Sequence, residues 1–296
     1  MVVKFRNYTE VTGITEDYKK IREFLISIGH TEFTYARWDW MITHRNLNKN
    51  AVEKIGIWEE GSRIRGIATF DCQPGEAFCL THPDFKYLKK EMIQYAMKNL
   101  ANGEDFGIVI SDSDYSYQDT AADLGFIPTE QKEHDAIFYV DKTSTEYILP
   151  EGFKVTSMKD NYDLYQYGKV LWKGFNHEID GEGTFQYTKE VEQALENEMF
   201  RLNVRLDLKI AALTPKGDFA AYCGMWYDPD TEYAVIEPVA TDPEYRKMGL
   251  GKAVVLEGIK RVRELGAKKV LVGSSQQFYY SIGLRPYTAS TVWRRK

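Results

Sequence analysis

The seven residues from Arg246 to Lys252 combine positive charge with two glycines, a pattern suited to binding a phosphate group. They follow a predicted strand at residues 233–241 and begin a predicted helix that ends near residue 265. The first N–H groups of a helix have no partner within it, and the helix dipole places partial positive charge there. Gly249 and Gly251 lack the Cβ atoms that would hold a ligand away from those N–H groups. The sequence therefore predicts an anion site at this turn.

The elements around this turn occur twice. Each half of the chain begins with a strand and two helices and continues with three strands. It ends with a helix, a strand, a short helix and a last strand. Residues 81–86 align with residues 241–246 at an offset of 160, and the Leu-Gly-Phe-Ile-Pro segment at 124–128 aligns with Ile-Gly-Leu-Arg-Pro at 282–286. The sequence therefore predicts two copies of one α/β fold, joined by a polar linker near residues 141–152.

The two copies differ at the turn itself. Gly249 corresponds to Lys89, and Gly251 corresponds to Glu91. Bulky side chains, one of them acidic, would oppose a phosphate in the first copy. We therefore expect the first copy to keep the fold without the ligand.

Composition limits the other possibilities. The 296 residues are 43% hydrophobic and 28% charged, which is typical of a globular protein. No stretch approaches the ~20 apolar residues of a membrane span, and the charged start lacks the apolar core of a signal peptide, so we expect a cytoplasmic protein. The net charge of −6 disfavours nucleic acid as a partner. The cysteines, Cys72, Cys79 and Cys223, have no metal-type spacing, so neither a metal site nor a disulfide framework is predicted.

Two segments of the second copy resemble motifs of the GNAT acyltransferase superfamily. Residues 239–251 resemble its motif A, a strand followed by Arg/Gln-x-x-Gly-x-Gly/Ala. Residues 278–284, Phe-Tyr-Tyr-Ser-Ile-Gly-Leu, resemble its later Phe-Tyr-x-x-x-Gly-Phe element. The full order of helices and strands of the family covers residues 153–296. The first half of the chain has the same order of elements but lacks the motif A signature. The whole chain is thus similar to a tandem GNAT protein with a degenerate N-terminal copy.

The resemblance implies two tandem GNAT-like domains, at residues 1–145 and 150–296, each a mixed, mostly antiparallel sheet flanked by helices. It also implies acetyl-CoA as the acyl donor, with no metal. Motif A would bind the pyrophosphate, and the end of the preceding strand would pair with the pantetheine arm. The strand that follows the motif A helix would splay away to admit that arm, and Pro238 independently fits a bulge or edge. The residues expected to contact the donor are Val239, Ala240, Thr241, Arg246, Lys247, Met248, Gly249, Leu250, Gly251, Lys252, Ser275, Gln276 and Phe278.

One position departs from the family pattern. Many members place an asparagine seven residues before the tyrosine of the later element, where it binds pantetheine. Here that position is Val272. Ser275 or Gln276, in the polar segment that follows, could substitute for it.

Acetyl transfer to an amine needs a base, a donor to the oxyanion and an acid for the leaving thiolate. Glu237 is the candidate base, because an acid within an apolar strand would be buried and made more basic. The alternative is that Glu237 faces solvent or a structural partner. Tyr279 is the candidate acid, by its family position and because the first copy has Ala121 there; the alternative is a packing tyrosine. An N–H of the strand, at Ala240, is the expected oxyanion donor.

The sequence thus predicts an acetyl-CoA-dependent N-acetyltransferase that acts by direct attack of a primary amine in a ternary complex. The acceptor is expected to be a small cationic amine, and we expect a monomer or homodimer with no nucleic-acid or membrane partner. The three acids of the loop at residues 177–183 could hold the amine, although a flexible charged loop explains them equally well. The alternative function is a non-catalytic acyl-CoA-binding sensor or partner protein.

Overall fold

The computed structural model describes residues 2–9, 14–42, 44, 46–103, 105–201 and 203–295. The elements of the first copy are β1 (Lys4–Asn7), α1 (Glu16–Ile28), α2 (Tyr35–Met41), α3 (Lys49–Val52), β2 (Gly56–Glu60), β3 (Arg63–Asp71), β4 (Gln73–Thr81), α4 (Lys89–Asn99), β5 (Gly107–Ser111), α5 (Tyr115–Asp123) and β6 (Phe126–Tyr139). Those of the second copy are β7 (Lys154–Ser157), α6 (Leu164–Gly174), α7 (Lys189–Met199), β8 (Lys209–Leu213), β9 (Phe219–Tyr227), β10 (Tyr233–Thr241), α8 (Leu250–Glu264), β11 (Lys269–Val272), α9 (Gln277–Ser281) and β12 (Arg285–Arg295).

The chain divides into two compact units whose limits differ from the ends of the sequence copies. The first unit contains the described residues up to Asp135 together with those from Tyr287 onward. The second unit is Ala136–Pro286. The predicted domain limits, residues 1–145 and 150–296, describe the sequence repeat and stay a prediction. None of the described helices has the length and apolar character that a membrane span requires.

In the first unit, β1, β2, β3 and β4 pair as antiparallel neighbours. The next strand, β5, is parallel to β4 and antiparallel to β12. The core beneath contains large side chains that exclude solvent almost completely, among them Trp38, Trp58 and Phe70. This sheet is mixed and mostly antiparallel, which confirms the predicted fold class for this unit.

The second unit has the same arrangement. Strands β7, β8, β9 and β10 are antiparallel neighbours, β11 is parallel to β10, and the last four residues of β6 pair antiparallel with β11. Helix α8 supplies Leu250, Val254 and Ile259 to the core on one face of the sheet. Helices α6 and α7 cover the other face, with Tyr167 and Leu195 in that core. The predicted mixed, mostly antiparallel sheet flanked by helices is confirmed here too.

The strand that ends each sequence copy belongs to the unit built mainly from the other copy. Residues 136–139 of β6 pair with β11, and residues 290–294 of β12 pair with β5. Ala136, Ile137 and Phe138 are buried in the second unit. The second unit is therefore complete only with residues that precede the predicted linker.

This strand exchange predicts how fragments of the chain behave. A fragment of residues 136–286 should fold, because it keeps the pairing partner of β11 and the buried Phe138 side chain. A fragment of residues 150–296 should be less stable by more than the 3–5 kcal/mol typical of losing one buried Phe side chain. Its exposed β11 edge should also promote aggregation. Thermal melts and light scattering of the two fragments check this, and equal stability would contradict the exchange.

Candidate functional site

The turn before α8 has the geometry of an anion-binding site. Lys247 and Gly249 have φ angles of 65° and 82°, so the backbone twice enters the left-handed region within three residues. Ala253 is the first residue whose N–H bonds back, to the Gly249 carbonyl at 2.9 Å. The N–H groups of residues 250–252 have no hydrogen-bond partner among the described residues. Several N–H groups are thus available to a ligand at one helix end.

The two glycines of the turn have different roles. Gly249 requires the left-handed conformation, and a Cβ there would meet nothing closer than the Ile148 carbonyl oxygen at 4.0 Å. A Cβ at Gly251 would lie 2.9 Å from Thr241 Oγ1 and 3.4 Å from the Phe278 ring. Gly249 therefore leaves the N–H groups open on the solvent side. Gly251 also permits α8 to pack against the end of β10. The sequence alone did not reveal this packing role.

The charges of the turn are not equally available. The Arg246 guanidinium donates to the carbonyls of Thr241 at 3.2 Å and Gly174 at 2.9 Å, and to Asn176 Oδ1 at 2.6 Å. It joins the turn to the end of α6, and its contact with the donor phosphate stays a prediction. Lys247 and Lys252 are exposed beside the turn.

Strands β10 and β11 separate just before this turn. Their parallel pairing covers Tyr233–Val235 of β10 and stops there. The remainder of β10 pairs with β9 on one side, after a register shift between Ile236 and Val239. This register shift is a β-bulge at Pro238, one of the two positions, bulge or edge, that the sequence predicted for this proline. Within residues 203–295, all of which the structure describes, the other edge of Val239–Thr241 has no strand partner.

The register decides which N–H groups face the opening. The Asp242 N–H donates to the Ala220 carbonyl of β9. Hydrogen bonding alternates along an antiparallel pair, so Ala240 also directs its N–H to β9. Ala240 is therefore not the oxyanion donor that we expected. The N–H groups of Val239 and Thr241 point toward the opening instead.

Glu237 lies at the bulge and is exposed. The expectation that its carboxyl is buried is wrong, because Ala234 and Ile236 take the buried positions of the strand and Glu237 lies on the alternate face. Its backbone is held firmly, since the Trp226 Nε1 donates to the Glu237 carbonyl at 2.9 Å. A carboxylate in contact with solvent can still accept a proton, directly or through water.

Tyr279 is buried in the core of the second unit. Only 7% of the Tyr279 surface is exposed, and none of the hydrogen bonds among the described residues engages its hydroxyl. Burial raises the pKa of this phenol, and electrostatic interactions with Cys223 and Glu237 raise it further. The hydroxyl therefore keeps its proton at neutral pH. A buried donor with no protein acceptor is suited to a leaving thiolate.

The segment after β11 adds exposed polar groups. Ser275 and Gln276 are exposed, and the Ser274 hydroxyl accepts from the Gln276 N–H at 3.2 Å. Phe278 is half-buried and lies against Gly251 and Tyr279. Ser275 and Gln276 thus remain accessible, as a contact to pantetheine would require.

The acidic loop between α6 and α7 is held largely by its own contacts. His177 stacks on Trp172 with ring centroids 4.3 Å apart, and its Nδ1 lies 2.8 Å from Glu182. Glu178 accepts from the Phe185 N–H at 3.4 Å. Two of the three acids are therefore engaged within the loop, which weakens the case for a ready-made amine site there.

The corresponding turn of the first unit is closed. A 3-10 turn at Pro83–Leu88 leads directly into α4, and Lys89 has helical backbone angles where Gly249 is left-handed. The Lys89 side chain is buried, pairs with Asp114 and lies 3.9 Å over the Tyr117 ring. Glu91 accepts from the Trp58 Nε1 at 2.9 Å. Both side chains that replace the glycines are used internally.

Sequence reasoning missed one charged residue of the second unit. Lys209 is 3% exposed, donates to the Met225 carbonyl at 3.3 Å and lies 3.9 Å over the Trp226 ring. Burial lowers the pKa of its ammonium to about 8, and Arg201 adds to this, while Glu198, Cys223 and Glu237 act in the opposite direction. Nothing in the local sequence marks this lysine as buried.

Lys209 predicts an unusual dependence of stability on pH. The unfolded ammonium has its ordinary pKa of 10.5, so below pH 8 both states are charged and the full burial cost, about 3 kcal/mol, is present. Between pH 8 and 10.5 the folded state loses the proton first, and the cost disappears. Lys209→Met should therefore raise Tm at pH 7 and gain less at pH 10. Melting curves at the two pH values check this; a variant that is less stable at pH 7 would contradict it.

No group of three or more His, Cys, Asp or Glu within the described residues is arranged to hold a metal ion. The groups that the candidate site presents are backbone N–H groups, one carboxylate and one phenol. These groups suit the transfer of an acyl group from a phosphate-bearing donor.

Comparison with known proteins agrees with this geometry. Residues 172–284 match the family model described as the acetyltransferase (GNAT) family. Over 55 residues the chain is 40% identical to glucosamine 6-phosphate N-acetyltransferase of Trypanosoma brucei brucei. That match spans 18% of this chain and 37% of the length of the relative.

Two solved structures share the fold over almost the whole chain. A GCN5-related N-acetyltransferase from Sphaerobacter thermophilus aligns with a TM-score of 0.61 at 14% identity, over 99% of this chain and 95% of that chain. A tandem GNAT protein from the clavulanic acid biosynthesis pathway aligns with a TM-score of 0.62 at 14% identity, over 99% and 98%. Residues 172–284 thus match the acetyltransferase (GNAT) family, and the solved structures show that the GNAT fold extends over almost the whole chain.

Proposed function

We propose that the protein is an acetyl-CoA-dependent N-acetyltransferase whose site lies in the second unit. The observation that carries the proposal is the opening beside Val239–Thr241, where a strand edge without a partner leads directly into an anion-binding turn. An extended pantetheine arm can pair with that edge while the turn holds its pyrophosphate. The closed turn of the first unit supports a single donor site.

The residues at the opening suggest a balanced reaction. Glu237 accepts a proton from the amine, whose nitrogen bonds to the acetyl carbon. The N–H of Val239 donates to the oxyanion that forms on the carbonyl oxygen. The carbon–sulfur bond then breaks, and Tyr279 gives its proton to the leaving thiolate. Much of the rate enhancement would come from holding amine and thioester together.

The acceptor is proposed to be a small cationic amine. Glu237 is exposed at the opening, and the acid Asp180 of the loop after α6 is exposed as well, so the surface near the acceptor side carries negative charge. The name of the matched relative, glucosamine 6-phosphate N-acetyltransferase, supports amino sugars as further candidates.

A thiol-release assay over a panel of amines tests the proposal. The panel should contain polyamines, aminoglycosides, amino sugars and an amino-terminal peptide, each with acetyl-CoA. We expect release of free CoA with at least one class, and acetylation of that amine by mass spectrometry. Tight acetyl-CoA binding without release for any amine would favour the non-catalytic acyl-CoA-binding alternative.

A further inference from the structure

A buried positive charge lies beside the candidate base. Lys209 of β8 is opposite Gly224 of β9, and Gly224 faces the bulge of β10, where a Cβ on it would overlap the Glu237 carbonyl. The three residues thus form a row across three strands. A glycine in the middle leaves no side chain between the lysine and the bulge.

The Lys209 ammonium is fixed in this row by two contacts. It donates to the Met225 carbonyl and lies over the Trp226 ring. Trp226 in turn donates to the Glu237 carbonyl. The Trp226 indole therefore contacts both the Lys209 ammonium and the backbone of the candidate base, Glu237.

The charged groups around Lys209 come from three elements. Glu198 of α7 and Arg201 just after it face Lys209 from the helical layer, and Glu198 accepts from the Tyr167 hydroxyl at 2.8 Å. Cys223 of β9 and Glu237 of β10 interact with it electrostatically from the sheet. Glu237 is the exposed acid of this set, and it stands where the acceptor amine would arrive.

We propose that Lys209 is a positioning residue for acetyl transfer, which keeps the Glu237 carboxylate ionised by placing a fixed, buried ammonium behind the β10 bulge. The inference rests on the proposed function, because it assigns Lys209 a role through Glu237. A positive charge within ~4–6 Å typically shifts the titration of a carboxyl group by 1–3 pH units. Because the Glu237 carboxyl is exposed, water and salt screen part of this interaction, so the expected shift lies at the lower end of that range.

The test compares the wild-type protein with Lys209→Met. For the amine found active, the acid limb of kcat/KM against pH should move upward by about one pH unit in the variant, with the Kd for acetyl-CoA unchanged. Lys216→Met, which removes an exposed charge from the β8–β9 hairpin, should leave the profile in place. If Lys209→Met does not fold, Lys209→Gln removes the same charge. A profile that does not move in the folded variant would overturn the proposal.

A second readout does not require turnover. The titration of the Glu237 carboxyl can be followed by carbon-13 NMR of the full-length protein, with Glu237→Gln to assign its resonance. We expect a higher midpoint in Lys209→Met than in the wild type. Equal midpoints would overturn the role of Lys209 even if the enzyme is active. A raised midpoint in a protein that acetylates no amine would instead mean that the proposed function is wrong and the electrostatic coupling is real.

Discussion

Gly249→Glu is expected to lower the affinity for acetyl-CoA by at least 100-fold. The new carboxylate would project from the N-terminus of α8 into the space beside the free N–H groups, and it would repel the pyrophosphate. The left-handed backbone at this position, with φ of 82°, adds a local strain of about 1–2 kcal/mol. Isothermal titration calorimetry with acetyl-CoA measures the loss.

Gly217→Glu is the matched control. Gly217 has φ of 91° in the β8–β9 hairpin, and a Cβ there would meet nothing within 4 Å. The same substitution thus causes the same kind of strain and the same added charge away from the turn. Both variants should lose a similar amount of Tm, but only Gly249→Glu should lose acetyl-CoA. Retained affinity in folded Gly249→Glu would contradict a phosphate site at this turn.

Tyr279→Phe is expected to lower kcat by about 10²–10⁴-fold, the contribution typical of general acid–base catalysis. The Kd for acetyl-CoA should stay within twofold, because the ring and its contact with Phe278 remain. Stability should change little, since the hydroxyl has no partner among the described residues. Because its pKa lies above 10, Tyr279 should produce no alkaline limb below that pH.

Tyr280→Phe provides the control for this substitution. Tyr280 is half-buried on the same short helix and also borders the core of the second unit. Removal of the Tyr280 hydroxyl should leave kcat nearly unchanged. Single-turnover measurements separate the chemical step from product release. Equal rates in the two variants would mean that Tyr279 has only a packing role.

Several elements could be predicted because their signals are local. Helix α1 begins after Thr15, whose side chain accepts from the Tyr18 N–H, and ends at Gly29, which adopts φ of 61°. The sequence predicted these limits from helical spacing and the glycine. Strand β10 was also predicted at its observed limits, because an apolar run and a Pro-Glu turn bound it.

The last strand of each copy was predicted too short. The strand pattern in the sequence covers only residues 136–140 and 292–295, whereas β6 and β12 begin at Phe126 and Arg285. Most of the additional residues are polar, so they carry no alternation of apolar side chains. Their exchange between the units depends on pairing partners 130 or more residues away, which a local pattern cannot reveal.

The sequence predicted the backbone features of the candidate site, but it did not predict which of the charged side chains there are buried. The anion-binding turn was identified from glycines and charge, which act through local geometry. Glu237 is exposed and Lys209 is buried, the reverse of what their sequence contexts indicate. The positions of Glu237 and Lys209 both depend on their contacts with Gly224 and Trp226 of β9. They therefore depend on strand register and on the bulge.

The most direct test of the central claim is a structure of the full-length protein with acetyl-CoA bound. We predict pyrophosphate oxygens within about 3.2 Å of N–H groups between Lys247 and Lys252. The pantetheine arm should pair with Val239 and Thr241, and the thioester should lie between Glu237 and Tyr279. Acetyl-CoA bound in the first unit, or bound away from the turn before α8, would contradict the account.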